Sequence, residues 1–250
     1  MSKWVKRLRV FAGPNGSGKS TLYNHLVQTK AFHLYYHVNP DVIVEDLAGS
    51  LNFKKWPINF SFEELKQFLD ASPFQSKVKF NMAELLTCQG CSISLKDPAF
   101  KDISYLAAAL ADFLRIKMLH SDSSFSFESV FSHASKIREL EEAKKMDFKI
   151  YLYFITTSNP KINLQRVKNR VESGGHNVPD DKIFNRYNKT MNNLYAAFKC
   201  ADRAYLFDNS NQNRGSAFDF FAEKNEKRVY LSDSVPQWFG KYVLKYLVEE

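Results

Sequence analysis

Cysteine is scarce. Three residues in 250, Cys88, Cys91 and Cys200, are too few for a disulfide framework. Cys88 and Cys91 form a lone CxxC, but a structural zinc site takes four ligands and no second pair follows at finger spacing. Reduced thiols are therefore expected. No apolar run is long enough to cross a membrane, and the basic start MSKWVKRLR lacks the apolar stretch of a signal peptide. A soluble, cytoplasmic protein is expected. Internal repeats and low-complexity segments are also lacking.

What is present bounds the rest. Apolar residues make up 44% of the chain and 22 residues are Phe, ample for a core. The length suits one large α/β domain, or one domain with a substantial insertion. Lys and Arg number 35 against 27 Asp and Glu, so the formal charge is +8. Such a balance favours anionic partners such as nucleotides, sugar phosphates or nucleic acid, or serves solubility alone. The basic residues are spread along the chain with no recognisable nucleic-acid-binding module, which argues against nucleic acid.

The organising stretch is RVFAGPNGSGKSTLYN, Arg9 to Asn24. Gly13, Gly18, Lys19 and Ser20 stand at the GxxxxGKS/T spacing of a phosphate-binding loop. Leu8, Val10 and Phe11 supply a strand before it, and a helix from about Lys19 to Lys30 follows. Gly13, Gly16 and Gly18 let successive N–H groups turn toward phosphate oxygens, with Pro14, Asn15 and Ser17 between them. The helix aims its positive end at the same anion. Lys19 then reaches the β and γ phosphates, Ser20 holds magnesium, and Thr21 lies near the α phosphate. ATP and Mg2+ are the cofactors this predicts.

Further along, Asn39 and Pro40 make a turn at the carboxyl edge of the sheet, where open α/β folds bind ligands. Asp41 follows and reads equally as a carboxylate facing the phosphate acceptor or as a helix cap. The segment 49–102 reads as a helical insertion, with prolines between its pieces, a capping box at Ser61 and Glu64, and aromatics expected to be core rather than a ligand platform. A helix over 103–119 precedes the strand SFSFESVF, in which Glu128 is a charge that should face the cleft or meet a cation. The strongest strand is FKIYLYFIT, Phe148 to Thr156. Asn159 and Pro160 open a helix carrying Arg166 and Arg170 on one face. A loop from Ser173 to Pro179 joins it to a second helix bearing Arg186 and Tyr187. The two helices, over about 160–200, read as a lid that brings guanidinium groups to a phosphoryl group and excludes water. A strand ends at Asp208, Asn209 and Ser210. Residues 227–231 predict a last strand or edge hairpin, and 236–248 a closing helix.

Taken in order, GPNGSGKST, NPDVI, FSFESVFS, RVKNRVESGGHNVP, IFNRYNKTMNNL and FDNS resemble the zeta-toxin family of phosphate-loop kinases, in its stand-alone branch. The resemblance covers most of residues 7 to 210. It implies a three-layer, adenylate-kinase-like fold with a parallel sheet flanked by helices, and transfer of the ATP γ phosphate to a hydroxyl of a nucleotide sugar such as UDP-N-acetylglucosamine. It also implies roles: Asp41 as base, Glu128 binding substrate or assisting the metal, Arg170 and Arg186 stabilising the transferring phosphoryl, and Arg166 and Asn209 at ATP. A separate antitoxin protein is the partner it implies. Two departures stand out. The segment 49–102 is longer and more aromatic than is usual, and the Glu-Thr-Thr pattern reads Glu128, Ser129, Val130. The LSGGQ-type signature of ABC transporters is absent. Another small acceptor, such as a nucleoside or an antibiotic hydroxyl, is the alternative to the nucleotide sugar, and a nucleotide-gated nucleic-acid-binding ATPase the rival class.

Overall fold

The computed structural model describes residues 5–31, 36–172, 178–211 and 218–248. The chain packs as two compact units, Met1–Leu34 with Glu128–Glu250, and Tyr35–Phe127.

The first unit is built on strands β1 (Arg7–Ala12), β7 (Lys149–Thr156), β8 (Arg203–Asp208), β9 (Asp219–Asn225) and β10 (Arg228–Leu231), in the spatial order β10-β9-β8-β7-β1. β1, β7 and β8 run parallel, while β9 and β10 close the edge as an antiparallel hairpin. The sheet is thus mostly parallel, as expected, with an antiparallel hairpin at its edge, one of the two forms expected for 227–231. The reason is local: β9 and β10 are joined by Glu226 and Lys227 alone, and so short a connection can only reverse the chain.

Sequence alternation sets the two faces of this sheet. Leu8, Val10, Ile150, Leu152, Ala204 and Leu206 are all fully buried, and each such Leu, Ile or Val contributes about 1.5–3 kcal/mol by leaving water. They share one face. Trp238 and Phe239, from the closing helical pieces Gln237–Phe239, Gly240–Leu244 and Lys245–Val248, pack there against Phe154 and Phe221. On the opposite face helix α1 (Lys19–Gln28) lays Leu22, Tyr23 and Leu26 over Phe11, Tyr153, Ile155 and Phe207. Helices α6 (Pro160–Glu172) and α7 (Asp180–Cys200) meet through Val167, Val178 and Ile183. Helix α5 (Ser135–Lys145) lies between the end of β6 (Phe125–Ser129) and β7 in the chain.

In the second unit β2 (His37–Val38) pairs in parallel with the start of β6, and α2 (Pro40–Leu47), α3 (Phe62–Ala71) and α4 (Ser104–Leu119) carry most of the buried leucines. The expected insertion at 49–102 is not wholly helical. It holds a three-stranded antiparallel sheet, β3 (Leu51–Asn52), β5 (Ser92–Leu95) and β4 (Leu86–Gln89), beside α3 and two single 3-10 turns. Ser61 Oγ accepts from Glu64 N at 3.0 Å, so the capping-box serine does start α3. Phe53, Phe60, Phe68 and Phe113 pack ring on ring at 5.1–5.4 Å as core.

Candidate functional site

The loop between β1 and α1 is held from three sides. Gly13 N donates to Ser129 O at 3.3 Å at the end of β6, and Asn163 Nδ2 in α6 donates to Asn15 O at 2.7 Å. Asn209 Nδ2, past the end of β8, donates to Ser17 O at 2.8 Å. Two glycines are forced by that packing. A Cβ on Gly13 would stand 2.0 Å from Ile155 O, and Gly18, the residue before α1, has φ +98° with its Cβ position 2.6 Å from Asn209 Nδ2. No side chain caps α1 and no acidic residue sits in its first turn. Its leading N–H groups and positive dipole end therefore face the loop, a setting suited to an anion.

The charged groups gather around this cradle. Lys19 Nζ donates to Gly13 O and Pro14 O, both at 2.9 Å, which places its ammonium over the loop. Ser20 Oγ donates to Glu128 Oε2 at 2.9 Å. Glu128 is only 6% exposed, so its charge meets the loop hydroxyl inside the protein. Burial, and then the Glu128 charge, push the Tyr23 phenol upward from its ordinary range. Thr21 is exposed on α1.

Arg166 Nη2 donates to Asn209 Oδ1 at 3.3 Å, joining α6 to the residue that holds Ser17. Burial lowers the Arg166 guanidinium's affinity for its proton, and Asp208 opposes this. Asn15 Oδ1, Ser17 Oγ and Arg166 Nη1 are buried and make no hydrogen bond among the described residues. Of these, the Ser17 hydroxyl and the Arg166 N–H are donors, and beside one glycine cradle they fit an anionic group that brings oxygen acceptors.

Sequence reasoning missed the scaffold of this site. Asn163 is fully buried, accepts from Thr157 Oγ1 and donates to Asn15 O, while Tyr187 Oη donates to Thr157 O at 2.6 Å. Burial holds the Tyr187 phenol up at about 12. Asn163 lies three residues before Arg166, a helical spacing that puts both on the loop side, and this is the signal that could have found it.

Arg170 is exposed near the end of α6, and Arg186 is half-buried on α7. Residues 173–177 of the expected lid loop lie outside the described residues. Asp41 belongs to the second unit, in the first turn of α2, where Asn39 Oδ1 accepts from Asp41 N at 2.9 Å. The cap is Asn39, and Asp41 is exposed. Among the described residues no three His, Cys, Asp or Glu side chains gather to hold a metal ion, and no helix is long and apolar enough to cross a membrane. A magnesium ion suits such a site nonetheless, because it takes one or two protein oxygens and completes its octahedron with phosphate and water. Ser20 and Glu128, whose side-chain oxygens stand 2.9 Å apart, are the residues that would hold it.

No family model matches the chain. A protein described as uncharacterized from Haemophilus influenzae is 40% identical over 63 residues, 25% of this chain and 45% of that protein. The chain therefore spans less than half of that relative. Among solved structures, the native AvrRxo1-ORF1:-ORF2 complex superposes with a TM-score of 0.58 at 15% identity, over 95% of this chain and 63% of the other. The AvrRxo1-ORF1:-ORF2 structure with ATP gives 0.55 at 16%, with the same coverage. A structure from the PezAT chromosomal toxin-antitoxin system of Streptococcus pneumoniae gives 0.53 at 12%, over all of this chain and 85% of that one. At such identities the likeness speaks for the fold, and the fold is an α/β phosphate-loop-NTPase-like architecture, a mostly parallel sheet flanked by helices.

Proposed function

We propose that this protein is an ATP- and magnesium-dependent kinase of a small hydroxyl-bearing acceptor. The observation that carries the reading is the Ser20 to Glu128 hydrogen bond beside a glycine cradle crossed by Lys19. That combination matches what phosphoryl transfer asks of a protein: donors on the phosphates, a positive charge beside them, and two oxygens for the metal that neutralises developing charge. Gly13 to Thr21 hold the phosphates. Arg166 and Asn209 close the nucleotide's other side, and Arg170 and Arg186 align and neutralise the transferring phosphoryl as the α6–α7 pair closes.

Asp41 takes the proton of the acceptor hydroxyl as the acceptor oxygen bonds to the γ phosphorus and the bond from that phosphorus to the β–γ bridging oxygen breaks, releasing ADP. The exposure of its carboxylate at the start of a helix whose cap is Asn39 supports that role. The resemblance to zeta toxins makes a nucleotide sugar such as UDP-N-acetylglucosamine the first acceptor to test, and the likeness to PezAT makes an antitoxin protein the first partner.

The deciding experiment incubates wild type and Asp41→Asn with γ-labelled ATP, magnesium and a panel of UDP-sugars, nucleosides and aminoglycosides. Label on one acceptor with wild type, and about 100- to 10,000-fold less with Asp41→Asn, supports the kinase and its base together. Label on no acceptor overturns the reading, and equal transfer by both proteins removes Asp41 from it.

A further inference from the structure

Basic residues that look scattered along the sequence are gathered by the register of the first unit's sheet. Arg9 pairs with Tyr151, Tyr151 with Arg203, Arg203 with Asn225 and Asn225 with Arg228. This row crosses all five strands on one face. One pleat further, Phe11, Tyr153, Tyr205, Glu223 and Tyr230 form a second row on the same face, and Arg7 pairs with Lys149 one pleat before. Phe220, opposite Phe207, extends the rings along β9. A basic stripe thus runs beside an aromatic one.

The face is not ordinary core. Helix α1 covers its far end, at Phe11, Ile155 and Phe207, whereas Tyr230 is 54% and Phe220 51% exposed. Tyr151, Tyr205, Arg9 and Arg203 are half-buried, and Lys149 and Arg228 exposed. The rings are ordered: Tyr153 and Tyr205 stack at 5.0 Å, and Phe220 lies 6.3 Å from Tyr205. Arg9 sits 5.4 Å over the Tyr151 ring, and Arg203 stands one pleat from Tyr205 on the same face. Against five cations, Arg7, Arg9, Lys149, Arg203 and Arg228, stand Glu223 in the aromatic row and Asp202, 3.6 Å from Lys149.

We propose that this sheet face binds single-stranded nucleic acid, its phosphates along the arginine row and its bases against the rings of Tyr230, Phe220 and Tyr205. Charge complementarity requires an anion. The flat, partly open rings ask for exposed π-faces, which unpaired bases offer and a duplex or an acidic peptide does not. Glu223 tolerates this ligand because a carboxylate accepts from base N–H groups, the ring N3–H of uracil and thymine among them. Binding on this face does not require phosphoryl transfer at the glycine loop.

The test is fluorescence anisotropy of the full chain with labelled 12-mers, oligo-U RNA, oligo-dT DNA and a mixed duplex, across salt concentrations and with excess ATP. Both single strands, or RNA alone, should bind more tightly than duplex and persist with ATP. With three to four cations engaged, log affinity should fall against log salt with a slope of about −2 to −3. The Phe220→Ala/Tyr230→Ala variant should bind about tenfold or more weakly, Tyr230→Trp like wild type, and Arg203→Glu/Arg228→Glu weakest with a flatter salt slope. RNA against DNA assigns which nucleic acid it is. Several results would overturn the proposal: no binding at low salt, duplex bound as tightly as single strand, or wild-type binding by the ring variant. Displacement by ATP would place the oligonucleotide in the phosphate loop instead, and equal competition by polyglutamate would assign the face to an acidic protein.

Discussion

Asn163 shows how much one buried amide can hold. Its Nδ2 serves the phosphate loop through Asn15 O, and its Oδ1 takes the Thr157 hydroxyl. Asn163→Ala leaves Asn15 O without its side-chain donor and the Thr157 hydroxyl with Asn159 O alone, which costs about 1–3 kcal/mol. For a chain of this size that lowers the thermal midpoint by about 2–10 °C, and calorimetry should find it. Nucleotide affinity, followed by titration, should fall in the same variant because Asn15 loses its anchor. Glu128→Gln asks a different question. The amide still accepts from Ser20, so the fold should persist, but the negative charge beside the hydroxyl is gone. Transfer should fall by about 100-fold at limiting magnesium and partly recover when magnesium is raised. Unchanged magnesium dependence would remove Glu128 from the metal's surroundings. At this scale Gly13 to Ser20 could be read directly from spacing, because the backbone conformations there demand glycine. Asn163 could not, since an asparagine within a helix is ordinarily solvated and only the tertiary contact with Asn15 gives it meaning.

Between elements, the α6–α7 pair depends on a small cluster, Val167, Val178 and Ile183, with Leu164 and Val171 against it. Ile183→Ala removes three buried carbons from a contact with few neighbours to refill the space. The cost should be about 2–5 kcal/mol, read as a lower midpoint in thermal denaturation, with faster amide exchange along α6 and α7 than in the β1–β7 pair. Exchange rising equally everywhere would mean that α6 and α7 do not open as a unit. Both helices were legible from their 3.6-residue pattern, and β1, β7 and β8 from apolar runs with alternating entries. The β4–β5 hairpin was not. Each strand is four residues, below the length at which period two declares itself, and the only sign was Gly90 with φ +59° at a turn between Leu86 and Leu95. Prolines at 57, 73 and 98 drew the reading toward short helices, while the pairing of Cys88 with Ile93 and Leu86 with Leu95 is a tertiary outcome. The aromatic row across the sheet escaped for the same reason: register is set between strands, and no single strand spells it.

The stability of the whole chain carries its own pH signature, on the alkaline side. Burial pushes the phenols of Tyr23, Tyr153 and Tyr187, and the Cys200 thiol, above their ordinary values. Each folded group keeps its proton longer than the unfolded one does. Their contributions are therefore complete below the unfolded pKa, near 9 for the thiol and 10 for the phenols, and are lost as pH rises toward the folded values. Lys224 and Arg166 run the other way, since burial lowers the pKa of each and rising pH relieves the folded state, but they are two groups against four. The thermal midpoint should hold steady from about pH 7 to 9 and fall from about 10 to 12. Tyr187→Phe separates the burial of a phenol from its hydrogen bond. Losing the bond to Thr157 O should cost about 1 kcal/mol at pH 7, while the missing ionisation makes the alkaline fall shallower. Wild-type and variant curves should then converge between pH 10 and 12. Curves falling in parallel across that window would show that Tyr187 keeps no proton that the unfolded chain gives up, and would move the alkaline weakness to Tyr153, packed between Phe11 and Tyr205.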